Sequence, residues 1–268
     1  MALTDGKPAP PESAKLRGVT PIEIAAIVAA GMAAGTVNTI VGSGSLITFP
    51  ALLALGYAPV VANVSNTVGL LPGSVSGAVG YRRELSGQGG HVLRLGIAAG
   101  LGALTGAILL LILPAAAFER VVPFLILGAV LLIALQPRLS RAMAHRRGQG
   151  ERHTLPLPVT IYLTGIYGGY FGAAQGVILI ALLGIFVADD LQRLNGLKNA
   201  LTVVINGVAA LLFIVVAPVV WPVALLLAAG SIVGGQIGAM LGRRLSPLLL
   251  RIVIVVVGTL VGLKLLIG

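Results

Sequence analysis

Long apolar runs separated by short polar breaks organise this chain. Residues 60–81, 91–113, 119–137, 199–217, 222–242 and 247–267 are each apolar over about the 20 residues that a helix needs to cross a bilayer. These predict six spanning helices. Two further apolar regions, 21–56 and 157–188, are too long for one span, and Gly and polar residues break each near its middle. Each therefore predicts two short helical pieces around a non-helical break. The first break lies in NTIVGSGSLITFP, Asn38 to Pro50, and the second in GAAQG, Gly172 to Gly176.

Laying residues 22–137 over 156–267 at an offset of 130 to 132 makes the two broken regions coincide. Gly35, Asn38 and Gly42 fall on Gly165, Gly168 and Gly172; Thr67 falls on Lys198, Gly102 and Gly106 on Gly234 and Gly238, and Arg120 on Arg251. An ordered series of this kind predicts a duplication. The chain then divides into a polar tail (1–20), a first repeat (21–137), a basic cytoplasmic linker (138–156) and a second repeat (157–268).

Charge orients the halves. Arg82, Arg83 and Arg94, then Arg138, Arg141, Arg146, Arg147 and Arg152, then Arg243, Arg244 and Arg251 cluster in loops, whereas 56–60 and 217–222 carry no charge. Cations mark cytoplasmic loops. In the first half the loop after the broken region is uncharged and the next is basic. In the second half the loop after the break holds Arg193 and Lys198, with Asp189 and Asp190 beside them, and the next is uncharged. Equivalent loops on opposite faces predict inverted-topology repeats, each with an odd number of crossings. That means five per half if each broken region is two short helices, or three plus a re-entrant hairpin. The expected fold is an all-α polytopic membrane protein of about ten helical segments, each repeat pairing a broken helix pair with three transmembrane helices. Lys7, Lys15 and Arg17 of the tail then lie outside, against the charge rule.

Composition agrees with lipid as the main solvent. Of 268 residues 57% are hydrophobic and 10% charged, with a mean hydropathy of +1.04; a soluble domain carries about 25% charged residues. The net charge of +10 sits in alternating loops, which favours a membrane over nucleic acid as its reason. Residues 1–20 lack the continuous apolar core of a secretory leader and read as a polar tail. The absence of Cys excludes disulfides and thiolate chemistry.

Inside a bilayer, non-helical backbone survives only where protein or a water-filled cavity satisfies it, and broken helices at matching positions of inverted halves point to a transport site. Gly42 and Gly44 permit the first turn, and Ser43 or Ser45 would cap the helix that follows. Its leading N–H groups then form an anion site without a full buried cation. Gly172, Gln175 and Gly176 offer the same device in the second half. Asn38, Asn66, Thr67, Lys198 and Asn199 join these as candidates at membrane depth. Lys198 reads either as counter-charge for an anion or as an interfacial lysine near a helix end. Gly102, Gly106, Gly234 and Gly238 read as close helix packing, Asn206, Ser231 and Gln236 as interhelical hydrogen bonds, Asp189 and Asp190 as a solvated pair, and His91, His145 and His153 as solvated loop residues. No catalytic group, metal ligand or cofactor is predicted. The expected partners are a small anion and the bilayer, with a coupling proton or ion and a homodimer left open.

The runs NTIVGSGSLITFPALLALG, NVSNTVGLLPGSVSGAVGYRR, YGGYFGAAQGVILIALLG and LKNALTVVINGVAALLF, with Trp221, resemble the TauE/SafE family from about residue 21 to the end. The resemblance implies a plasma-membrane carrier, an exporter, of small sulfur-containing anions such as sulfite or organosulfonates. The chain departs from the family where Ser43 and Ser45 stand in a stretch that is often all Gly, at Gln175, and at Thr67, where many relatives carry Lys. The alternatives are a passive anion channel or a carrier of another small organic anion such as a carboxylate. A membrane enzyme is disfavoured, because no paired carboxylate, Cys or His cluster lies at membrane depth, and the short loops count against a receptor or assembly subunit.

Overall fold

The computed structural model describes residues 20–146, 156–241 and 247–267. Most of the expected tail and half of the linker, with Arg147, Arg152, His153, Arg243 and Arg244, lie outside these residues. Ten helices follow one another: α1 Pro21–Ile40, α2 Ser45–Ala54, α3 Pro59–Gly80, α4 Gly89–Ile112, α5 Ala115–Arg146, α6 Pro156–Tyr170, α7 Gln175–Phe186, α8 Leu191–Val216, α9 Trp221–Leu241 and α10 Pro247–Ile267. Among the described residues there is no strand.

Local chemistry sets the helix starts. Thr20 and Glu23 form a reciprocal capping box ahead of Pro21, so Glu23 serves the first turn of α1. Asp190 caps α8 by accepting from the N–H groups of Gln192 and Arg193 at 2.9 and 3.0 Å. The Asp189 carboxylate meets Arg193 at 2.8 Å. The cap starts α8 at Leu191 and not near 199. Lys198 consequently lies about two turns inside a helix. At the other end of the first half, α5 continues past 137 to Arg146, so the start of the expected linker is helical.

Among the described residues, five helices are long and apolar enough to cross a membrane: α1, α4, α5 as far as Arg138, α8 and α9. The 22 residues of α3 do not qualify by apolarity, because Asn63, Ser65, Asn66, Ser74 and Ser76 are buried within it. α3 is a central helix with its polar face turned into protein. The 10 residues of α2 and 12 of α7 reach only about half of a bilayer core.

α1 lies along α9, and α4 along α6. Gly31 of α1 faces the Leu227 backbone, where an added Cβ would stand 2.7 Å from the carbonyl oxygen, and Gly238 of α9 faces Thr36 and Thr39. Gly102 and Gly106 of α4 meet the backbone of α6 at Tyr162 and Ile166 in the same way. Close approach of backbones is the use of small residues expected in membrane bundles. Replacing each helix by the one five places along maps these pairings onto each other, as it does α3–α9 onto α4–α8 and α2–α10 onto α5–α7. Phe49 on α2 packs edge-on to Phe171, just after α6, with centroids 5.3 Å apart, and Phe118 of α5 closes on both.

Candidate functional site at the meeting of two helix breaks

The two breaks begin with the same turn. α1 ends at Ile40 and α2 begins at Ser45, as α6 ends at Tyr170 and α7 begins at Gln175. Gly42 (φ 85°) and Gly172 (φ 77°) occupy the left-handed region, which a Cβ disfavours. Each donates its N–H 3.1 Å to the carbonyl five residues back, Val37 and Tyr167 respectively.

These turns touch. The Gly176 N–H donates to the Gly42 carbonyl at 3.1 Å, and a Cβ on Gly42 would stand 2.8 Å from the Gly176 carbonyl carbon. Two segments far apart in sequence thus cross with backbone against backbone.

The contact makes the two helix starts unlike. At α7 the N–H of Gln175 reaches Gly172 O (3.3 Å), that of Gly176 reaches Gly42 O, and that of Val177 reaches Ala174 O (3.0 Å). From Gln175 onward its donors are filled, with Ala174 at a positive φ of 59°, while the N–H groups of Ala173 and Ala174 have no hydrogen-bond partner among the described residues. At α2 the N–H groups of Ser43, Gly44 and Ser45 have no hydrogen-bond partner among the described residues. Ser43 Oγ, on a residue only 1% exposed, has none either. The expected cap by Ser43 or Ser45 is not made. Gly44 already has helical dihedrals (φ −56°, ψ −38°), so it enters the helix with no side-chain cap bond. Ser45 Oγ instead accepts from Asn66 Nδ2 at 3.1 Å.

The helix ends before the breaks also differ. Lys198, 0% exposed, donates to Thr39 O at 2.9 Å and to Asn38 O at 3.3 Å, and Asn199 Nδ2 donates to Thr39 O at 3.3 Å. The Lys198 amino group and an amide thus hold the negative end of α1. At the end of α6 the neutral Asn63 Nδ2 reaches Tyr170 O at 3.0 Å. The first break carries the Lys198 amino group and has open donors at Ser43, Gly44 and Ser45. The second has no charged side chain at its helix end, and its open groups are the N–H groups of Ala173 and Ala174 and the Gln175 Oε1 acceptor.

Hydrogen bonds link the surrounding helices. Asn66 accepts from Thr48 Oγ1 while donating to Ser45, pinning α2 to α3. Asn38 Nδ2 and Asn206 Nδ2 both donate to Ser74 Oγ at 3.2 Å, and Gln175 Nε2 donates to Asn206 Oδ1 at 2.9 Å. Asn38 and Gln175 are thereby joined across the halves. Thr67 bonds only to Asn63 O on its own helix. Asn63, Thr48 and Ser74 were not expected at the site. The signal was the recurrence of polar residues at 63, 66, 67 and 74 along one helix face. Ser231 and Gln236 bond to the α3 backbone, the interhelical role expected of them.

Asn66→Ala should remove both bonds from buried polar groups of α2. The expected loss is roughly 1 to 3 kcal/mol, read as a lower melting temperature in detergent, and an unchanged melting temperature would show that Asn66 does not hold α2.

Comparison with known proteins completes the picture. The family model described as sulfite exporter TauE/SafE matches residues 27–265. The chain belongs to the TauE/SafE family. It is 27% identical over 249 residues to the probable membrane transporter protein YfcA of Escherichia coli, covering 92% of this chain and 91% of that protein. It is 30% identical over 217 residues to a probable membrane transporter protein of a Sinorhizobium species, covering 78% of each. A probable membrane transporter protein of Haemophilus influenzae is 27% identical over 209 residues. No solved structure matches significantly. Within the TauE/SafE family this chain is a multi-pass membrane transporter.

Proposed function

We propose that this protein exports a small sulfur-containing oxyanion, sulfite or an organosulfonate, across the inner membrane by alternating access between two inverted repeats. The observation that carries this reading is the first break: unpaired N–H groups at Ser43, Gly44 and Ser45 and the unpaired Ser43 hydroxyl at one end, and the buried Lys198 amino group at the other. An oxyanion has several acceptors on one charged centre and would take several such donors at once. Asn38, Asn66 and Asn199 would fix the walls, and Gly42, Gly172, Gln175 and Gly176 would hold the two turns in place. The sulfur chemistry and the outward direction rest on the family. The repeated pairing of helices five places apart supports two halves that move against each other.

A ligand that binds only the folded protein raises its melting temperature. The purified chain is therefore melted in detergent against sulfite, thiosulfate, sulfate, taurine, isethionate, sulfoacetate, acetate and phosphate. Selective stabilisation by sulfite or a sulfonate is expected. Stabilisation by acetate or phosphate alone would keep the anion site and overturn the substrate.

A further inference from the structure

We propose that Lys198 carries a coupling proton, so that anion and proton bind and cross together. The inference rests on the anion site just described.

The geometry at Lys198 counts donors. An ammonium has three N–H donors and a neutral amine two. Lys198 Nζ has two acceptors, Thr39 O and Asn38 O. These satisfy the amine and leave the third ammonium proton without an acceptor. Both are backbone carbonyls at the end of α1, and neither carries a full charge. A full cation at this depth needs a counter-charge. Charge balance is reached in two ways: an anion arrives beside the ammonium, or the proton departs.

No other group supplies the balance. On the elements packed against α8, the charged or titratable residues are His91 and Arg94 of α4 and Tyr162, Tyr167 and Tyr170 of α6, while α3 and α7 have none. Tyr81, Arg82, Arg83 and Glu84 sit in the turn between α3 and α4, with the Glu84 side chain against Gly196 of α8, and α1 has only Glu23, in its capping box. On α8 itself Arg193 is paired with Asp189. The bonds that Lys198 Nζ makes go to Thr39 O and Asn38 O. Glu23, Asp189 and Asp190 are committed to helix starts.

The carrier then has two balanced states. When empty, it holds a neutral amine on two carbonyls. When loaded, it holds an ammonium whose third N–H donates to the anion. The reaction is anion plus amine plus buffer acid giving anion, ammonium and the buffer's conjugate base, with no bond broken beyond that to the transferred proton. A monoanion would cross with no net charge moved. Linkage makes the effect reciprocal: the proton tightens anion binding as much as the anion tightens proton binding.

Isethionate is a suitable probe because its sulfonate stays singly charged. Calorimetric titration of the full chain with isethionate, in buffers of different ionisation enthalpy, reads the protons taken up per anion bound. The expected result is uptake approaching one proton per anion, with affinity falling by up to about tenfold per pH unit as pH rises. Binding with no buffer dependence at any pH tested would overturn the proton linkage and leave the anion site standing. Failure to bind isethionate, sulfite or thiosulfate would overturn the anion site and the inference together. In Lys198→Met the uptake should vanish; uptake that persists assigns the proton to another group.

Discussion

Gly42→Ala and Gly176→Ala are expected to reduce transport to background. At Gly42 two effects add. A Cβ at φ 85° costs roughly 1 to 2 kcal/mol, and the same Cβ is driven against the Gly176 backbone, an overpacking that typically costs about 1 to 3 kcal/mol. Gly176 isolates the second effect. It is helical, and its Cβ would press on the Gly42 backbone alone. The predicted order of melting temperatures is wild type, Gly176→Ala, Gly42→Ala, with transport into proteoliposomes lost in both variants. Two controls separate conformation from crowding. Gly56 has φ 86° with nothing within 4 Å of an added Cβ, so Gly56→Ala should show the backbone effect and retain transport. Gly128 is helical and equally open, so Gly128→Ala should hold or gain about 0.5 to 1 kcal/mol. If Gly176→Ala melts and transports like the wild type, the crossing of the two turns has no bearing on function.

This crossing marks where sequence reading succeeds and where it stops. The breaks were legible because Gly, Ser and Asn interrupt apolar runs that a helix would otherwise continue, and because Gly42 and Gly172 recur at a fixed offset. The helix number was legible for the same reason. The start of α8 was not. Asp189, Asp190, Arg193 and Lys198 lower the local hydropathy and look like a loop, yet Asp190 is a cap and the charged residues that follow are its first turns. Nor was the difference between the two breaks. It depends on the Gly42 carbonyl reaching the Gly176 N–H, and a backbone group has no identity in sequence. The partners of Lys198 were hidden likewise, since they are carbonyls of residues 38 and 39. Asn206 read as an interhelical hydrogen bond and makes two, from Gln175 and to Ser74, but which partners it joins was not legible.

Ser43→Ala is expected to move stability and binding in opposite directions. Ser43 Oγ is buried with no partner, and an unsatisfied buried polar group costs about 1 to 3 kcal/mol. Removing the hydroxyl should therefore leave the melting temperature of the empty protein unchanged or raise it. If that hydroxyl instead waits for an anion, the same change removes a bond to a charged group. Such a bond contributes about 1.5 to 3 kcal/mol, so the affinity for the sulfur anion should fall roughly tenfold to hundredfold. Ser45 supplies the contrast. Its Oγ already accepts from Asn66, so Ser45→Ala should lower the melting temperature and change anion affinity less. A hydroxyl kept for packing cannot give the Ser43 pattern, because its loss would weaken the fold and leave binding alone. Lower stability with unchanged affinity in Ser43→Ala would take Ser43 out of the site and leave the backbone donors at Gly44 and Ser45, together with Lys198, to hold the anion.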